Sequence, residues 1–70
     1  MAQSPLLDAI DEDAYEWLST YAPVYLSAIE IELGNGKTPI QIRRVVSQNV
    51  GQDRQGLAMR CEQAARYLSK

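Results

Sequence analysis

Residues 38–50 read TPIQIRRVVSQNV, and whether they coil or extend decides the fold. Thr38 stands where a side-chain oxygen accepts from a first-turn N–H, and Gln41, three positions on, can return a bond to the N–H of Thr38. Pro39 suits the first helical position, where its missing N–H costs nothing. Gly51 follows Val50 where a helix commonly ends in a left-handed residue. Coiled, the stretch puts Ile42, Val45, Val46, Asn49 and Val50 on one face and Arg43, Arg44, Ser47 and Gln48 on the other. That predicts a core helix with a basic outer surface.

A rival reading begins just upstream. Ile29 to Leu33 alternate strictly between apolar and acidic residues, and Asn35-Gly36 is a favoured pair for a tight hairpin turn. Folding there would set Ile31 opposite Ile40 and Ile29 opposite Ile42, giving an α+β fold with a hairpin over residues 28–44 flanked by two helices. Pro39 opposes it by removing a ladder donor where the second strand should begin. The alternation also fails at Arg44-Val45-Val46 while the helical period runs on to Val50, and the capping residues have no purpose in a strand. The expected fold class is therefore all-α, a small bundle of four short helices in one domain spanning residues 1–70.

Outward from this stretch the punctuation is regular. Ser4-Pro5 reads as a helix entry, followed by an apolar stripe of Leu7, Ile10, Ala14, Trp17, Leu18 and Tyr21. Asp8, Glu12 and Glu16 lie on another face, and the acidic group Asp8, Asp11, Glu12, Asp13 and Glu16 reads as a solvated surface rather than a cation site. Tyr15, off the stripe, is expected to be exposed. Pro23 breaks the chain near residues 20–22; were the helices to run on, Tyr21 and Tyr25 would pair across the bend. Val24 to Leu33 forms a second helix ending at Gly34, apolar over so wide an arc that a central place in the bundle, or cover by another subunit, is expected. Asp53 caps a last helix that buries Leu57, Cys61, Ala64 and Leu68, widened by Ala58 and Ala65, with Glu62 and Arg66 as an exposed pair.

Charge is divided along the chain. Residues 1–36 carry seven acidic residues and no lysine or arginine, whereas residues 37–70 carry seven basic residues against Asp53 and Glu62, for a net charge of −2. Such a division points to partners of opposite charge or to mutual neutralisation inside the fold. No apolar run approaches the roughly 20 residues that a bilayer requires, and MAQSPLLDAIDEDA lacks the pattern of an export signal. With Cys61 the only cysteine, a reducing, cytoplasmic setting is expected and no membrane association.

Catalytic chemistry finds few footholds. There is no histidine, the commonest general base and zinc ligand, and Cys61 lies on an apolar stripe. Gly36-Lys37-Thr38 matches the end of a phosphate loop, but Ile31 stands where its first glycine is required. No enzyme activity, metal or cofactor is expected. The expected activity is regulatory or adaptor binding of a protein with an acidic surface through Ile40, Arg43, Arg44, Gln48, Met59 and Arg66, with self-association among the expected partnerships. The alternative is a helix-turn-helix-like DNA binder built from helices 38–50 and 53–68, with Arg54, Gln55 and Arg60 toward the groove. Gln52 and Arg60 depart from that motif by standing where inward apolar residues belong, and the chain is acidic overall.

Overall fold

The computed structural model describes residues 5–70, and the expected cap at Ser4 and the side chains of Leu7 and Asp8 lie outside the described residues. Over the described residues the fold is an all-α bundle of four helices: α1 (Pro5–Tyr21), α2 (Pro23–Gly34), α3 (Pro39–Val50) and α4 (Gln55–Leu68), with a 3-10 turn at Gln52–Arg54 before α4. Among the described residues no helix is long and apolar enough to cross a membrane.

The hairpin alternative is overturned, and its strongest signal has another use. The N–H of Gly36 donates to the carbonyl of Leu33 and that of Lys37 to Glu32, at 3.0 and 3.1 Å, with Gly36 at φ 91°. These are the paired bonds of a Schellman helix end, which needs a left-handed residue as much as a hairpin does. Asn35-Gly36 therefore stops α2 instead of reversing a ribbon. Downstream, the capping box forms as expected: Gln41 N–H donates to Thr38 Oγ1 at 3.2 Å, and Thr38 N–H donates to Gln41 Oε1 at 2.9 Å. Gly51, at φ 78° and ψ 178°, ends α3 in an extended conformation that is open to glycine and few others.

α4 is the helix on which the others pack; among the described residues α1 and α3 lie against it without meeting each other. Its buried face is small, Ala58, Cys61, Ala64 and Ala65, so neighbouring backbones can come close on either side. Leu18 of α1, Leu26 and Ile29 of α2, and Ile42 and Val46 of α3 complete the core. The expected central place of α2 is thus corrected: α4 holds it, and Val24 and Ile31 of α2 are exposed. The expected cap at Asp53 is replaced by the 3-10 turn, with no side-chain bond capping α4. Tyr15 is half-buried rather than exposed, packed on Tyr67 with ring centres 5.0 Å apart. Tyr21 stacks on Trp17 at 5.2 Å within its own helix, because the chain breaks at Ala22.

Candidate functional site

The ionic groups of three helices join in one chain. Asp11 of α1 is 0% exposed, and Arg66 of α4 grips its carboxylate in a fork, Nη2 donating to Oδ1 at 3.0 Å and Nε to Oδ2 at 3.3 Å. Arg66 Nη1 also donates to Glu62 Oε2 at 3.0 Å, while Arg43 Nη1 of α3 donates to Glu62 Oε1 at 2.9 Å. The sequence Asp11–Arg66–Glu62–Arg43 therefore ties α1 to α4 and α4 to α3. Hydrogen bonding to Asp11 is the main reason that the Arg66 guanidinium is held still more firmly protonated than usual. Two expectations change here. Asp11 belongs to the interior rather than to a solvated acidic face, because it shares the inward row with Ala14 and Leu18. The Glu62–Arg66 pair is one link of a partly buried network rather than an isolated surface pair.

Beside this network lies an open depression of about 550 Å³ between α3 and α4, lined by Ile40, Arg43, Arg44, Ser47, Gln48, Gln55 and Glu62. Its base is held by Gln55, whose Oε1 accepts from Ser47 Oγ at 2.6 Å and whose amide donates to the Gly51 carbonyl at 2.7 Å. Arg43 enters from one side, oriented by Glu62. Arg44 is exposed and has no ion-pair partner among the described residues, and Ile40 beside it is 57% exposed. A fixed guanidinium, a free one and an uncovered aliphatic side chain can together receive a carboxylate flanked by apolar groups.

Of the six residues expected to bind a partner, Ile40, Arg43, Arg44 and Gln48 meet in this depression. Met59 opens onto a separate one with Ile10, Asp13 and Arg60, and Arg66 is held by Asp11 and Glu62. The alternative trio is not presented together. Arg54 is exposed, Gln55 bonds back to α3, and the Arg60 guanidinium sits 4.3 Å from the Trp17 ring centre. Cys61 is buried, and loss of hydration pushes its thiol up to about 11, so it is protonated and inert near neutral pH. Among the described residues no group of three His, Cys, Asp or Glu side chains is arranged to hold a metal ion.

Gln55 and Ser47 are site residues that sequence reasoning cast differently, and only their placement across the Gly51 turn brings them together. Comparison of the chain with protein-family models, with curated proteins and with solved structures gives no match.

Proposed function

We propose that this chain is a small non-enzymatic regulatory or adaptor module that binds an acidic segment of another protein in the depression between α3 and α4. The proposed setting is the cytoplasm, where a lone thiol stays reduced. The observation that carries the reading is the pairing, in one open depression, of the exposed Arg44 guanidinium with the exposed Ile40 side chain. Arginine beside uncovered aliphatic surface is the composition of recognition sites more than of plain solvated faces. Arg43 adds a donor array whose orientation is already set by Glu62, so less freedom is lost on binding.

A protein ligand is supported over duplex DNA by the hydrogen bond of Gln55 with Ser47, which engages one of three candidate base readers, and by the stacking of the exposed Arg60 on Trp17 of α1, away from Gln55. Exposed Glu12, Asp13 and Glu16 on α1 would also repel a phosphate backbone. The test is a pair of titrations read by backbone amide shifts. A peptide rich in glutamate and leucine is expected to shift residues 40–48, and Arg44→Glu is expected to abolish the effect. Duplex DNA at low salt is expected to produce none. Binding of duplex that weakens steeply with salt, and is lost when Arg54 and Arg60 become alanine, would establish the nucleic-acid reading instead.

A further inference from the structure

Seven residues line the depression between α3 and α4, and three of them are charged: Arg43, Arg44 and Glu62. Glu62 is held from both sides, its Oε1 accepting from Arg43 at 2.9 Å and its Oε2 from Arg66 at 3.0 Å. The Glu62 side chain is 13% exposed, so its carboxylate borders the open space rather than lying sealed beneath it. The ladder Asp11–Arg66–Glu62–Arg43 contains two acids and two bases and carries no net charge. Arg43 therefore offers its remaining N–H donors to a ligand, but no uncompensated charge. Arg44 has no ion-pair partner among the described residues and supplies the one net positive charge of the depression.

We propose that Glu62 is the specificity-determining residue of this depression: it selects a segment that brings one carboxylate beside an aliphatic side chain and rejects the phosphorylated counterpart. The inference rests on the acidic-segment reading above and names the chemistry of the occupant. One carboxylate on Arg44 completes the charge balance, and Ile40, one turn earlier on α3, meets the aliphatic group. A phosphoserine carries about −1.5 to −2 charges at neutral pH. Its second charge finds no uncompensated cation and comes against the Glu62 carboxylate, where like charges repel.

The rest of the lining leaves this selection to Glu62. Ser47, Gln48 and Gln55 add polar groups but no charge. Without Glu62, the successive arginines 43 and 44 would form the doubly charged pair that phosphoryl recognition uses. Nor is Glu62 free to turn aside for a dianion. Leaving the ladder would unpair Arg43 and take one of the two carboxylates that Arg66 holds.

Fluorescence anisotropy of two labelled peptides with the full chain at neutral pH tests the selection. One peptide carries a single glutamate beside leucines, and the other is identical except for phosphoserine in place of the glutamate. Wild type is expected to bind the glutamate peptide on the order of tenfold more tightly. Glu62→Gln, checked for its fold by helical circular dichroism, releases Arg43 and is expected to reverse that order. Gln48→Lys adds a cation at an exposed position one turn after Arg44 and leaves the ladder untouched. It is expected to narrow the preference, and it decides the charge count should Glu62→Gln fail to fold. Phosphoserine bound by wild type as tightly as glutamate would overturn the assignment and leave the acidic-segment reading standing. So would a preference for glutamate that folded Glu62→Gln, or Gln48→Lys, leaves unmoved. Failure of wild type to bind the glutamate peptide would overturn both.

Discussion

Asp11 is the residue on which the bundle's polar economy turns. Its carboxylate has left water entirely, and the Arg66 fork replaces part of that hydration. The two ends of the pair are unequal, because Arg66 retains about a third of its side-chain exposure, at 36%, and a second carboxylate in Glu62. Arg66→Ala strips a buried charge of its guanidinium and is expected to cost about 3 kcal/mol of stability in urea unfolding. Asp11→Ala frees an arginine that can turn to solvent, and its expected cost is lower, about 1–2 kcal/mol. Equal losses would count against this account of the pair. Sequence pattern could reveal that Asp11 shares a row with Ala14 and Leu18, but its partner stands 55 residues away, and nothing local marks that distance. For that reason Asp11 reads as one more member of an acidic run. Cys61, by contrast, is legible as buried from its stripe alone. Its raised folded-state value means that the unfolded chain loses the thiol proton first. Stability is thus expected to be full below about pH 9 and to fall as pH rises toward 11. Comparing wild type with Cys61→Ala isolates this slope.

Among the helices, local chemistry was the most readable. The box at Thr38 and Gln41, the break at Pro23 and the stop after α3 at Gly51 all follow from residues within a turn of each other. Thr38→Ala is expected to cost about 1 kcal/mol through the lost cap. Gly51→Ala tests the backbone by itself, since a methyl group there would meet nothing within 4 Å. Its expected cost, about 1–3 kcal/mol, arises wholly from the positive φ of 78° with extended ψ; a neutral result in thermal unfolding would contradict that origin. Less readable was which helix is central. α2 is the more apolar along its length, but the small residues of α4 admit closer neighbours, and the packing follows backbone approach rather than total hydrophobicity.

For the molecule as a whole, the division of charge along the chain is partly consumed within the fold. Lys37, Arg43 and Arg66 pair with Glu32, Glu62 and Asp11, whereas Arg44 and Arg54 have no ion-pair partner among the described residues. Ile40, Arg43, Arg44 and Gln48 could be grouped from the helical period of residues 38–50. The separation of Met59 and the tethering of Arg66 could not, because both depend on how α4 is rotated against α1. The proposed recognition surface accordingly narrows to Arg44 and its neighbours. The most direct measurement is quantitative affinity capture with immobilised wild type, Arg44→Glu and Arg54→Glu, in the presence of nuclease. Wild type and Arg54→Glu are expected to retain the same protein ligand and Arg44→Glu to lose it at least tenfold, as the loss of a desolvated charge contact implies. Retention that Arg44→Glu leaves unchanged, or that nuclease abolishes, would contradict the account.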